Sequence, residues 1–221
     1  MAYGAEIFAG ITGGKYLKKL PMLPKPPELV VNGGVVVLGR FQPFHNGHID
    51  LILKAESWRL QNSSKSKLIL AIGSSNRPES MDNPWSYEER KEMIKSWIDV
   101  QDGFNETIIV AIPDIEDPPK WVSHAEKYHG KDGIFFTSDD YSADLYQKSN
   151  WKVIISPLKD REKYQGWRVR ATAHMLSTIS DDEAIRTVLT PSMSVDVINY
   201  LIENDGFRRL AFLGQGGEPV G

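Results

Sequence analysis

The residues best suited to chemistry stand together in one run, Gly39-Arg40-Phe41-Gln42-Pro43-Phe44-His45-Asn46-Gly47-His48. Two histidines flank a glycine and directly precede a stretch with helical patterning, so they stand where a helix opens. An opening helix leaves backbone N–H groups without partners and presents the positive end of its dipole, and both favour bound phosphate. Gly47 lets a phosphate come close to the backbone. Imidazoles at His45 and His48 can donate hydrogen bonds to phosphate oxygens without the bulk of lysine. A single loop histidine would carry no such reading, whereas the array of strand, Gly-Arg, His-x-Gly-His and helix does.

The elements that must hold this array follow from hydrophobic patterning. Short apolar runs of β-branched character read as strands buried on both faces. They fall at Val35-Val36-Val37-Leu38, Leu68–Ile72, Thr107–Ile112, Ile134-Phe135-Phe136 and Val153-Ile154-Ile155. Helical stretches are expected from His48 to about Leu60, from Ser86 through Trp97, around Trp121–Tyr128, Ala143–Lys148 and Val169–Leu176, and at Val195–Glu203. Ser86 and Glu89 have the spacing of a capping box. The alternation specifies an α/β protein, a Rossmann-like, doubly wound, parallel five-stranded sheet with a small C-terminal helical part. In such sheets ligands bind beyond the carboxyl ends of the strands, which is where the histidine loop would stand. Pro21, Pro24, Pro26 and Pro27 exclude helix and most sheet positions, so residues 1–32 read as an extended arm. Residues 33–212 form the folded domain in this reading, and 213–221 a flexible glycine-rich tail.

Composition narrows the function. The chain has 221 residues, 41% hydrophobic and 25% charged, values ordinary for a globular protein. A net charge of -3 argues against general nucleic-acid binding, which needs clustered positive charge. With no cysteine there is no disulfide, thiolate metal site or cysteine nucleophile. No apolar run is long enough to span a bilayer, and Met1–Lys15 lacks the order of a signal peptide, so a cytoplasmic protein without membrane partners is expected.

The run from Gly39 to His48 resembles the signature of the HxGH nucleotidyltransferases, and its Gly-Arg-Phe-Gln-Pro-Phe lead-in is similar to the archaeal-type nicotinamide-nucleotide adenylyltransferases. The resemblance extends from Val35 to about Ile202. It takes in Ile72-Gly73-Ser74-Ser75-Asn76-Arg77-Pro78, Asn83-Pro84-Trp85-Ser86 with Glu88-Glu89-Arg90, and Pro113-Asp114-Ile115-Glu116 followed by Trp121. Further on, Gly166-Trp167-Arg168-Val169-Arg170 resembles the family's second signature, with Gln165 and Trp167 standing where hydroxyl residues are usual. Those hydroxyls normally help hold the β- and γ-phosphates of ATP. The resemblance implies adenylyl transfer from ATP to nicotinamide mononucleotide, with His45, His48, Arg40 and Arg170 stabilising the phosphates. Gly39, Phe41, Gln42, Gly47, Gly166 and Arg168 would bind ATP. On the acceptor side it implies Gly73 and Ser74, Arg77 for the acceptor phosphate, Asp114, and Trp121 stacked on the nicotinamide ring.

A phosphate monoester is already an adequate nucleophile, so this chemistry needs no triad or dedicated base, and the sequence contains no convincing one. Mg²⁺ would enter on the ATP phosphates. Zinc is rejected, because the two histidines lack a third ligand. Relatives of this type are homo-oligomers, so self-association is implied too. The alternatives are the same chemistry on nicotinic acid mononucleotide or phosphopantetheine, and a nucleotide-binding sensor without turnover, for which Gln165 and Trp167 are the support. A class I synthetase fragment fails for want of a Lys-Met-Ser-Lys-Ser segment. Arg90 and His124 read as structural, and Ser138-Asp139-Asp140-Tyr141 as either a nucleotide-side loop or an aspartate-rich turn.

Overall fold

Each apolar run is a strand in the computed structural model, which describes residues 20–158 and 162–214. They are β1 (Val35–Gly39), β2 (Leu68–Ile72), β3 (Ile108–Ala111), β4 (Ile134–Thr137) and β5 (Lys152–Ile155). The helices are α1 (Asn46–Asn62), α2 (Tyr87–Ile98), α3 (Trp121–His129), α4 (Asp140–Lys148), α5 (Gly166–Met175), α6 (Asp182–Leu189), α7 (Val195–Glu203) and α8 (Arg208–Gly214). No helix among the described residues is long and apolar enough to cross a membrane. Contacts divide the chain into two compact units, one comprising Met1–Gly39, Leu51–Arg77 and Thr107–Pro157, the other Arg40–Asp50, Pro78–Glu106 and Leu158–Gly221.

The first unit holds the sheet, in strand order β3-β2-β1-β4-β5 with every pairing parallel. The order turns back between β1 and β4, which is the switch point of a Rossmann-like sheet. Central β2 is buried throughout, whereas edge strand β5 exposes Lys152 and Ile155. This is why the middle strands read as unbroken apolar runs and the edge does not. Strands β1 and β4 start close together. Ile134 donates its N–H to Gly34 at 2.9 Å, and a side chain at Gly133 would collide with that same carbonyl. The core includes Val36, Ile69, Ala71, Ile112, Phe135 and Tyr146, with the last two rings stacked at 3.7 Å. Buried His129 donates through Nδ1 to Gly130 O (2.9 Å) and accepts the Tyr146 hydroxyl at Nε2 (2.7 Å). Burial pulls its pKa down to about 4.

The second unit is helical. Its α2 packs on α7, α6 on α7, and α5 on both α6 and α8. The apolar faces are Met93, Ile94 and Trp97 of α2, Ile185 and Leu189 of α6, and Val197, Ile198 and Leu201 of α7. The capping box is present as expected: Ser86 Oγ accepts from Glu89 N at 3.2 Å and Glu89 Oε2 from Ser86 N at 2.8 Å.

Three features depart from the patterning. Helix α6 has only two turns and α8 only seven residues, too short for a periodic signal to stand out. Helix α8 runs to Gly214, into the segment read as tail; residues 215–221 of that tail and 1–19 of the arm lie outside the described residues. Asp139 is the N-cap of α4, accepting from Ser142 N at 2.8 Å, so a helix start accounts for that aspartate-rich turn.

Candidate active site

In the second unit the loop that follows β1 is held on every side before it reaches the histidines. The buried amide of Gln42 donates to Trp85 O (2.8 Å) and accepts from Trp85 N (3.3 Å). Buried Arg90 donates to Arg40 O (2.7 Å) and Ser86 O (3.1 Å), the structural role its sequence context implied. Phe41 takes a left-handed φ of 52°, a conformation costing about 1–3 kcal/mol outside glycine. That turn places its ring edge-on against His48 at 4.8 Å. Phe44 stacks on the same imidazole at 5.9 Å and is anchored against Trp97. Phe41 and Gln42, read from sequence as ATP contacts, thus have their side chains committed to holding the loop and His48.

The rings of His45 and His48 stack at 3.6 Å, and backbone hydrogen bonds set their protons. Gly47 N–H donates to Nδ1 of His45, and His45 N–H donates to Nδ1 of His48, each at 3.2 Å. Each Nδ1 is therefore an acceptor, which in a neutral ring leaves the proton on Nε2. Burial, partly offset by a backbone hydrogen bond and reinforced by the charge of Arg170, lowers the pKa of His45 to about 3. Burial, with His45 beside it, likewise holds His48 well below its usual value. The result is a pair of neutral imidazoles, each with Nε2–H as its donor.

The opening of α5 lies beside this pair. A Cβ built on Gly166 would sit 3.4 Å from Gln42 O, 3.6 Å from Arg170 Nη1 and 3.8 Å from His45 Nε2. Gln165 at the N-cap of α5 makes no side-chain cap bond. Arg170 donates from Nη1 to Gln42 O at 2.6 Å, with Nη2 3.7 Å from the exposed Asp82 carboxylate. Arg40 donates to Asp82 O (2.7 Å) and Asn83 Oδ1 (2.8 Å), so the segment around Asp82 binds both arginines. At Gly47 a Cβ would come within 2.7 Å of Tyr164 Cβ and 3.1 Å of His45 Cε1, which restricts the position to glycine. Exposed Arg168 rests over the ring of Trp167 at 5.1 Å. His45, Gly47, His48, Gly166 and Arg170 are thus neighbours, despite more than a hundred intervening residues. Asp82 and Asn83, given no role from sequence, hold the arginines.

The residues assigned to the acceptor lie in the first unit. Gly73 N–H donates to Gly39 O at 2.9 Å, and buried Ser74 takes a left-handed φ of 53°. Arg77 is ion-paired through Nε to Asp114 Oδ2 (2.6 Å) and through Nη1 to Glu116 (2.9 Å). Burial opposes the Arg77 charge, but the hydrogen bonds and charges of Asp114 and Glu116 outweigh it and raise the pKa. Asp114 is itself 1% exposed, and its Oδ1 is buried with no hydrogen-bond partner among the described residues. Asn76, also without an assigned role, clamps the Asp114 backbone, accepting from Asp114 N (2.7 Å) and donating to Asp114 O (3.0 Å). Trp121, expected to offer a stacking face, is 2% exposed and belongs to the apolar core. His124 bonds the Pro113 carbonyl at 2.9 Å, a structural role. Sequence patterning locates an aromatic ring on a helix, but which face its neighbours cover is a tertiary outcome.

Comparison with known proteins identifies the family. A family model described as cytidylyltransferase-like matches residues 36–180. The chain is 31% identical over 173 residues to a nicotinamide-nucleotide adenylyltransferase of Saccharolobus solfataricus, covering 78% of this chain and 91% of that one. It is 28% identical over 184 residues to the enzyme of the same name from Thermoplasma acidophilum, covering 83% and 93%. Among solved structures, a bifunctional NMN adenylyltransferase/ADP ribose pyrophosphatase from Francisella tularensis superposes with a TM-score of 0.56 at 22% identity, a likeness of fold. This chain spans 53% of that longer protein. The histidine loop, the downstream glycine-arginine helix start and these relatives lead to one assignment: the chain belongs to the cytidylyltransferase-like family and, within it, to the nicotinamide-nucleotide adenylyltransferases.

Proposed function

We propose that this chain transfers the adenylyl group of ATP to the phosphate of nicotinamide mononucleotide, forming NAD and pyrophosphate. The observation that carries the reading is the pair of neutral Nε2–H imidazoles beside Arg170 and the uncapped start of α5. An oxygen of the acceptor phosphate attacks the α-phosphorus of ATP in line. The bond from that phosphorus to the bridging oxygen breaks, and pyrophosphate leaves with the electron pair. No side chain has to remove a proton. The catalytic task is to hold anions in place and to stabilise charge growing on the transferring and leaving groups.

His45 and His48 suit this task as neutral donors, because their protons are already fixed on Nε2 when phosphate arrives. Arg170 supplies positive charge beside them, and Arg40 adds a second guanidinium. Gly47 and Gly166 let phosphate oxygens approach the backbone at two helix starts. Among the described residues no group of three or more histidine, aspartate or glutamate side chains could hold a metal ion. A divalent cation, magnesium in this reading, would enter on the phosphates of ATP, where it would supply further neutralisation of their charge.

For the acceptor, the buried Oδ1 of Asp114, without a hydrogen-bond partner among the described residues, favours the amide over the acid. A carboxamide can donate an N–H to it, whereas a carboxylate would bring a second negative charge to an already buried one. The test supplies ATP, Mg²⁺ and a panel of mononucleotides and identifies the dinucleotide formed. NAD and pyrophosphate should appear from nicotinamide mononucleotide, with kcat/KM for nicotinic acid mononucleotide lower by about 10–100-fold. Preference for the acid would refute the Asp114 reading. Nucleotide binding without pyrophosphate release would favour a sensor.

A further inference from the structure

We propose that the N-terminal arm is a working part of the acceptor side: residues 20–24 strap the loop after β2 to α3, and that strap sets the affinity for the acceptor. The inference rests on the acceptor reading above and goes beyond it, since the family match begins only at residue 36. Successive carbonyls of the arm take side-chain hydrogen bonds from two separate elements. Asn76 Nδ2 donates to Pro21 O at 2.9 Å, and Ser75 Oγ to Leu23 O at 3.4 Å. Tyr128 of α3 donates to Pro24 O at 3.1 Å. Further along, Asn32 Oδ1 accepts from Lys131 N (2.8 Å) and Gly33 N donates to Lys131 O (2.7 Å), which ties the arm down again just beyond α3.

Asn76 connects this strap to the acceptor residues. The nitrogen that bonds Pro21 also bonds Asp114 O, and the oxygen of the same amide accepts from Asp114 N. Asp114 in turn holds Arg77 through Oδ2. Arm, Asn76, Asp114 and Arg77 are therefore one hydrogen-bonded chain. Asn76 is 8% exposed, so losing the Pro21 carbonyl would leave a largely buried N–H to find another partner. The prolines make docking inexpensive in entropy, because a proline-rich segment is already extended before it binds. An arm of this composition has little use as a flexible tether. As a strap it restrains the loop that carries Ser74 and Arg77, and with it the carboxylate of Asp114.

The test uses the full chain and removes two strap bonds with the double variant Ser75→Ala/Tyr128→Phe, which keeps the Tyr128 ring and leaves Asn76 in place. Hydrogen–deuterium exchange reads arm docking, and steady-state kinetics read its effect. Exchange over residues 20–34 should quicken, and KM for nicotinamide mononucleotide should rise about five- to tenfold, with kcat and KM for ATP within about twofold of wild type. Released exchange with an unchanged acceptor KM overturns the proposal. So does unchanged exchange, because the strap bonds would then not be what holds the arm. A fall in kcat without a rise in acceptor KM overturns it too, by placing the effect on chemistry. Failure of the wild-type enzyme to make NAD from ATP and nicotinamide mononucleotide is a separate result, which refutes the acceptor reading itself and removes the basis of the proposal.

Discussion

Replacing Arg170 with alanine is expected to lower kcat by about 10²–10³-fold while the protein stays folded. The rate effect follows from the place of Arg170 beside His45, at the start of α5, where charge grows on the phosphates. Loss of one preorganised donor to such charge typically costs about 2.7–4 kcal/mol of transition-state stabilisation. The stability effect is smaller: the bond lost to Gln42 O has a charged donor, and such a bond is worth about 1.5–3 kcal/mol. Arg170→Lys should fall between the two, since lysine keeps the charge but not the fork that serves a phosphate and the Gln42 carbonyl together. Steady-state kinetics with differential scanning fluorimetry checks all three proteins. A folded Arg170→Ala enzyme within about threefold of wild-type kcat would remove this residue from the chemistry.

Acid should destabilise the nucleotide-free protein well above the range in which carboxylates titrate. Above pH 6.5 the imidazoles of His45 and His48 are neutral in both the folded and the unfolded chain and contribute no pH dependence. As pH falls below 6.5, each unfolded ring takes up a proton that the folded ring refuses, down to about pH 3 for His45. The unfolded state then binds more protons, so stability falls with pH, by about 2 kcal/mol per ring between pH 6.5 and 5. His129 behaves the same way down to about pH 4, and it lies in the other unit and has no proposed role in phosphate binding. Urea denaturation at pH 7 and pH 5 measures the loss, and His129→Gln should recover about one ring's share of it. A midpoint that does not move between pH 7 and 5 would show that these rings are not buried and neutral.

The sheet was legible because its inner strands are largely buried and so appear as uninterrupted apolar runs. The bounds of β1, β3, β4 and β5 shifted by a residue or so, at strand ends. The start of α2 was legible because a capping box is a local chemical agreement between Ser86 and Glu89. The histidine loop was legible by the types and spacing of its residues. What patterning cannot supply is which groups are already spoken for. Gln42 looks like a ligand residue until both ends of its amide are found on the Trp85 backbone. Phe41 looks like a nucleotide contact until its left-handed backbone turns the ring against His48. Trp121 has the right spacing from Asp114 but a buried ring. The proton positions of His45 and His48 depend on two backbone N–H groups whose direction no residue type announces.

The gap from Gly47 to Gly166 is another kind of limit. No local rule joins them, and only the resemblance to a second family signature linked Arg170 to the histidines. The fold places them together through α5, whose first residue admits no large side chain without meeting Gln42, Arg170 and His45. Gln165 and Trp167 replace the usual hydroxyls there, which leaves the start of α5 without a side-chain cap. In the proposed reaction, phosphate binding at this helix would fall to backbone N–H groups and Arg170.

The most direct test of the whole account is a crystal structure with a non-hydrolysable ATP analogue. It should show phosphate oxygens within hydrogen-bond distance of Nε2 of both His45 and His48 and of the Arg170 guanidinium, with each Nδ1 still receiving its backbone N–H. A triphosphate bound away from these three side chains, or imidazoles turned to offer Nδ1, would contradict it.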